Sequence, residues 1–224
     1  MSQSNTVSVI ALRCLPLFFG VQPAVLEPIA RLSLLRRVPR GTVVVMAGDR
    51  TDFVYIILSG SLKVLVNDEE GREVILSILS PGELFGEMGV IDDTPRSATV
   101  VAATPADLVV IAKSDFKRVM QENFDVALYI MRNLAHRLRV ADRKIESLAL
   151  LDVYGRVARL LLENAEKVGD ELVVTKKITK QDMAKMIGAS REMVSRVMKD
   201  LQTQGLIEEG NGRIVLKERI GTLG

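Results

Sequence analysis

Seven apolar residues of this 224-residue chain, Ala127, Met131, Leu134, Leu138, Ala141, Ile145 and Leu148, follow one another at intervals of four, three, four, three, four and three. A seam that narrow, held for three heptads, specifies a long helix that packs along its length against another helix. Arg132, Arg137, Arg139, Arg143 and Lys144 flank it, which suits a two-stranded coil better than a helix lying on its own domain. A parallel homodimer is therefore expected. His136, the only histidine, falls off the seam and reads as a surface imidazole.

Before the seam the period is different. Between Gly41 and about Ala112 come short β-branched runs: Val43-Val44-Val45, Val54 to Leu58, Leu62 to Val66, Val74-Ile75-Leu76 and Val109-Val110-Ile111. Glycine-bearing turns separate them at Ala47-Gly48-Asp49, Ser59-Gly60, Glu70-Gly71 and Ser80-Pro81-Gly82. Such spacing argues a compact antiparallel barrel or roll. With 48% hydrophobic residues the chain has the material for real cores. Charge interrupts every apolar stretch well short of the roughly 20 residues that span a bilayer, so a soluble protein with no membrane partner is expected. Met1 to Ile10 lacks the basic start and long apolar core of a signal peptide, and the expected location is the cytoplasm. Cys14, the single cysteine, permits no internal disulfide and reads as a packed thiol.

The overall charge of +2 conceals an asymmetry, because residues 176 to 224 hold ten Lys/Arg against six Asp/Glu, a net of +4, and the rest hold 20 against 22. The basic end is where phosphate contacts are to be sought. A helical stretch follows Leu151-Asp152-Val153, runs through Arg156 to Leu162 and is expected to stop near Gly169, with a domain boundary close to Asp152. Between Ile178 and Leu201, two short helical patterns are separated by Gly188, and each is preceded by a hydroxyl residue fit to cap it, Thr179 and Ser190. This is helix-turn-helix spacing.

At about 100° per residue, Arg191, Glu192, Ser195, Arg196 and Lys199 share one face of the second helix, with Val194, Val197, Met198 and Leu201 on the other. One face packs, and the opposite one is free to read. Arginine matches guanine O6/N7 and glutamate matches the cytosine amino group, so the helix start is expected in the major groove of double-stranded DNA. Leu206-Ile207, the turn Gly210-Asn211-Gly212 and Arg213 to Leu216 read as a β-hairpin wing, with Arg213 and Lys217 near phosphate height. The candidate DNA-binding residues are Thr179, Lys180, Ser190, Arg191, Glu192, Ser195, Arg196, Lys199 and Arg213.

Two runs carry a resemblance: Phe85-Gly86-Glu87-Met88-Gly89 followed by Pro95-Arg96-Ser97-Ala98, and Gly188 to Arg196. Together they resemble the cyclic AMP receptor and fumarate–nitrate regulator (Crp/Fnr) family of bacterial transcription regulators over nearly the whole chain. The resemblance implies an α+β architecture. An N-terminal cyclic nucleotide-binding β-roll (a double-stranded β-helix) would occupy residues 1–124, a dimerisation helix 125–151 and a winged helix-turn-helix 152–224. It implies a ligand cradle of Gly86, Glu87, Met88, Arg96, Ser97 and Ala98. Glu87 would accept from the ribose 2′-hydroxyl, Arg96 would meet the phosphate, and Ser97 with the Ala98 N–H would complete the cradle. Physically the run is apt, since backbone N–H groups at Gly86 to Met88 and a guanidinium opposite them suit a cyclic phosphate.

The sequence departs from the cyclic AMP receptor branch on the dimer helix, where the threonine and serine that reach adenine are replaced by Ala141 and Asp142. Ionised Asp142 accepts only, and it suits guanine N1–H and N2–H₂ as well as an adenine amino group. Arg137 matches a family position near the base, and an arginine there also suits a second phosphate. The expected effector is cAMP, with cyclic di-GMP or cGMP as alternatives; a ligand-independent regulator with an empty roll is another reading. By the same resemblance Arg191, Glu192 and Arg196 would read a TGTGA-type half-site, a dimer would take a palindrome, and RNA polymerase would be a partner. Ligand would then couple to DNA by shifting the dimer helix between arrangements. No histidine beside a nucleophile, no metal-ligand cluster and no nucleotide-hydrolysing phosphate loop occurs, so neither an enzyme nor a metal cofactor is expected.

Overall fold

The computed structural model describes residues 7–175, 178–210 and 212–217. The first six residues of the N-terminal stretch and Asn211 of the expected wing turn lie outside them. The chain divides into two compact units, Met1–His136 and Arg137–Gly224.

In the first unit α1 (Val9–Arg13), a 3-10 turn (Pro16–Phe18) and α2 (Pro23–Leu32) precede eight strands. These are β1 (Leu34–Val38), β2 (Val43–Val45), β3 (Phe53–Ser59), β4 (Leu62–Asn67), β5 (Glu73–Leu79), β6 (Leu84–Phe85), β7 (Thr99–Ala102) and β8 (Ala106–Ala112). A short helix, α3 (Met88–Ile91), interrupts them between β6 and β7, and α4 (Lys113–Glu122) and the start of α5 (Phe124–Leu150) follow. The strands form two antiparallel sheets, ordered β1-β8-β3-β6 and β2-β7-β4-β5.

Side-chain alternation along β3 and β8 explains why their sequence runs are continuously apolar. Tyr55, Ile57, Leu108 and Val110 point into the roll, where they pack with Leu62, Leu79, Phe85 and Val100. Val54, Ile56, Val109 and Ile111 point the other way, against Leu26 and Ile29 of α2, Phe116 and Val119 of α4, and Val126 and Ile130 of α5. Both faces are covered, and the polar residues of the pair, Ser59 and Asp107, sit at one end of it and hydrogen-bond to each other (3.1 Å). At the hairpin between β3 and β4, Gly60 has φ +84, and a Cβ there would collide with the Pro105 carbonyl, so the turn requires glycine.

All five β-branched runs fall inside strands, but the roll begins earlier than Gly41. β1, β6 and β7 were not anticipated: β1 carries Arg36 and Arg37, whose exposed side chains break the apolar pattern, and β6 is only two residues long. A second correction concerns Cys14, which is exposed at the end of α1 rather than packed. His136 is exposed, as a surface imidazole should be. Helix α5 is 27 residues long. Along it the seam residues Met131, Leu138, Ile145 and Leu148 are all more than half exposed, an apolar line that this single chain does not cover. Among the described residues no helix is long and apolar enough to cross a membrane.

In the second unit the Asp152 carboxylate accepts from the Gly155 N–H (2.8 Å) and caps α6 (Val153–Glu163). That helix ends at Glu163, not near Gly169. The Asn164 side-chain amide donates to the Leu160 carbonyl (2.8 Å), and the chain then turns into a hairpin, β9 (Ala165–Val168) and β10 (Glu171–Val174). Gly169, at φ +63, makes its turn. Helices α7 (Lys180–Ile187) and α8 (Arg191–Thr203) lead to β11 (Ile207–Gly210) and β12 (Arg213–Leu216). The wing is thus part of a four-stranded sheet ordered β11-β12-β10-β9. Val157, Leu161, Met183, Ile187, Val194, Met198, Leu201 and Ile207 form one core beneath it.

Candidate functional site

The roll builds a cationic cradle around Arg96. Backbone bonds fix its place: the Arg96 N–H donates to the Asp49 carbonyl (2.9 Å), and the Arg96 carbonyl accepts from the Gly48 N–H (2.8 Å). The residue is buried, 7% exposed. Its Nη1 donates to the Gly86 carbonyl (2.7 Å) and its Nη2 to the Phe53 carbonyl (2.6 Å). The guanidinium lies 5.8 Å from the centre of the Tyr55 ring, which itself stacks on Phe85 at 4.9 Å, a favourable place for a cation. Burial pushes the Arg96 pKa down, and the nearby Tyr55, Asp52, Glu87 and Asp49 oppose it. A guanidinium keeps its proton regardless. The result is a sequestered positive charge with only two of five donors directed at those carbonyls.

Gly86 stands at φ +81, and a Cβ there would strike Arg96 Nη1, so no other residue leaves the guanidinium in place. Glu87, 2% exposed, is the N-cap of α3. Met88 and Ser97 are exposed and Ala98 is buried. Of the six cradle residues named from the sequence, Gly86 and Arg96 are in direct contact, while Glu87 and Met88 follow Gly86 along the chain and Ser97 and Ala98 follow Arg96. Arg137, Ala141 and Asp142 share α5, Arg137 half-buried and the other two exposed. Sequence reasoning missed Phe53 and Tyr55, which hold Arg96. Both sat inside or beside a run read only as a strand, and nothing in a strand pattern reports that a carbonyl or ring face meets a buried cation.

The second candidate surface is α7 and α8. The Thr179 hydroxyl accepts from the Asp182 N–H (3.1 Å) and the Ser190 hydroxyl from the Met193 N–H (3.2 Å), so both caps are made. Gly188 closes α7 at φ +64, ψ 48. Val194, Met198 and Leu201 are buried, while Arg191, Glu192, Arg196 and Lys199 are exposed and Ser195 is half-buried. Glu192 is held below the usual carboxylate range by its own backbone N–H and the Ser190 hydroxyl, helped by Arg191 and Arg196. Arg213 is exposed on the wing. Lys180 and Lys217 do not stand alone: Lys217 Nζ pairs with Glu208 (2.9 Å), and Lys180 Nζ lies 3.8 Å from Glu209, which also accepts from Gln202 (3.0 Å). The expectation of Lys217 as a phosphate contact overlooked this acidic neighbour.

A buried cation in a β-roll and a capped helix-turn-helix with a polar outward face describe a ligand-responsive DNA-binding regulator. Residues 35–123 match the cyclic nucleotide-binding domain family, and residues 155–220 the Crp-like helix-turn-helix domain family. The chain is 36% identical over 187 residues to the cAMP-activated global transcriptional regulator CRP of Pasteurella multocida, covering 81% of this chain and 89% of that protein. It is 35% identical over 194 residues to the cAMP-activated regulator Vfr of Pseudomonas aeruginosa, covering 82% and 90%. The structure of the c-di-GMP responsive global regulator CLP of Xanthomonas campestris superposes with a TM-score of 0.71 at 30% identity, covering 87% of this chain and 99% of that one. The chain belongs to the Crp/Fnr family, whose members are transcription regulators and not enzymes.

Proposed function

We propose that this regulator works as a cytoplasmic homodimer that binds a palindromic TGTGA-type operator when its roll holds cAMP. The observation that carries the ligand is the buried Arg96 guanidinium, fixed by the Gly86 and Phe53 carbonyls with donors to spare for a cyclic phosphate. Glu87 takes the ribose 2′-hydroxyl, Ser97 and the backbone N–H groups of Met88 and Ala98 complete the cradle, and Arg137, Ala141 and Asp142 meet the base. On DNA, Arg191, Glu192 and Arg196 read base edges. Thr179, Lys180, Ser190, Ser195, Lys199 and Arg213 hold the backbone. The working domains are 1–124, 125–151 and 152–224, and RNA polymerase is the partner at the promoter.

A second reading, with cyclic di-GMP as effector, rests on Asp142 and Arg137 in place of small hydroxyl partners for adenine and on the likeness to CLP. Calorimetric titration with cAMP, cGMP and cyclic di-GMP, followed by operator binding with each at saturation, separates the two. cAMP is expected to bind and to raise operator affinity about 5- to 150-fold, the usual range of allosteric coupling. Binding of cyclic di-GMP alone replaces the first reading with the second, and operator affinity indifferent to every nucleotide removes both.

A further inference from the structure

We propose that Asp93 is a positioning residue for the nucleotide, tying the phosphate-facing loop to α4; this rests on the ligand reading above. Four residues, Asp92 to Pro95, join α3 to Arg96. Asp93 is the one non-glycine among the described residues with a positive φ, +59. L-residues resist that conformation, and aspartate is among the few that tolerate it, so the surroundings must hold it there.

Its carboxylate supplies the hold. Lys113 Nζ lies 2.6 Å from Oδ1, and Lys117 Nζ lies 2.9 Å from Oδ1 and 3.1 Å from Oδ2. The two lysines are one helical turn apart on α4, so they grip a single carboxylate from one face. The hydrogen bonds from Lys113 and Lys117, and after them the charge of the two lysines, lower that carboxyl's pKa to about 2. The next residue is fixed as well: the Thr51 hydroxyl donates to the Thr94 carbonyl (3.0 Å), and a Cβ on Gly89 would strike both groups. The loop carrying Arg96 is thus fastened on one side to the roll and on the other to α4.

Helix α4 makes the fastening consequential. Phe116 and Val119 share a core with Val126 and Ile130. Asn123 alone separates α4 from α5, and both its backbone N–H (3.0 Å) and its side-chain amide (3.1 Å) donate to the Val119 carbonyl. A movement of the loop therefore reaches the base of α5 through one carboxylate and a packed helix. Exposed ion pairs add little to folding stability. The consequence of losing this one belongs in ligand affinity and not in the melting temperature.

Three variants of the full-length protein separate the contributions. D93N keeps the shape and the tolerance of positive φ but loses the charge, D93G relaxes the backbone and removes the side chain, and K113M/K117M removes the other partner. Each is expected to weaken cAMP binding roughly tenfold by calorimetry, and D93N combined with K113M/K117M to lose no more than either alone, because partners in one interaction are not additive. Ligand-free melting temperatures are expected to stay within a few degrees of wild type. Wild-type affinity in D93N, a D93G variant that binds as well as wild type, or additive losses overturn the positioning role while leaving the ligand reading intact. A wild-type protein that binds none of cAMP, cGMP or cyclic di-GMP overturns the ligand reading and this role with it.

Discussion

Arg196 lies one helical turn beyond Glu192 on the outward face of α8, with Arg191 beside them. Buried Val194 and Met198 on the opposite face leave that trio no orientation but outward. Replacing Arg196 with alanine removes a bidentate donor, and is expected to cost about 1–3 kcal/mol against a TGTGA operator and to relax the preference at one guanine. Fluorescence anisotropy with the operator, a guanine-substituted operator and scrambled DNA checks it, and an equal loss on all three would reassign Arg196 to phosphate. Glu192 behaves differently. Its own backbone N–H and the Ser190 hydroxyl lower its pKa, so as pH falls its carboxylate is protonated later than an ordinary glutamate would be. Arg96 shows the limit of reasoning from a motif. The residues Pro95-Arg96-Ser97 were legible as phosphate chemistry, but the Phe53 carbonyl and Tyr55 ring that hold the guanidinium lie some forty residues away in the chain.

Among elements, the wing is where charge placement has most effect. Glu208 and Glu209 on β11 draw Lys217 and Lys180 toward protein carboxylates. The double change E208Q/E209Q keeps shape and releases both lysines. Affinity for nonspecific duplex DNA is expected to rise, and the slope of log affinity against log salt to steepen by about 0.9 for each lysine that gains a phosphate. A titration over a salt series measures both, and an unchanged slope would mean that neither lysine approaches the backbone. The same region shows which elements a sequence declares. Helices α7 and α8 were legible because caps, the Gly188 stop and a two-sided pattern all agree. The hairpin β9–β10 was not, because Ala165-Glu166-Lys167-Val168 has helix-forming composition and becomes a strand through its ladder with Glu171–Val174. Strand β1 hid in the same way, its arginines exposed while its backbone pairs with β8 along five residues.

For the whole molecule, the uncovered seam of α5 is the feature that bears on assembly. Leu138 and Ile145 are 64% and 66% exposed, two turns apart on one line, and neighbouring arginines keep the rest of that surface polar. In the proposed homodimer a second copy of the same helix, related by a two-fold axis, would meet like with like, which is how a repeat of 3.5 residues is satisfied in a parallel coil. Two reading helices related by that axis would then address half-sites about 34 Å apart, one turn of duplex. Placing lysines in the seam, L138K/I145K, sets four charges in the paired interface and is expected to leave a folded monomer. Linked binding to two half-sites gains about 10²- to 10⁴-fold over one, so palindrome affinity is expected to fall by that factor, while affinity for an isolated half-site changes little. Sedimentation equilibrium and titration with full and half operators test the two parts independently. A variant that stays dimeric places the interface elsewhere, and a monomer that keeps full palindrome affinity would show that pairing along α5 is not what organises the two reading heads.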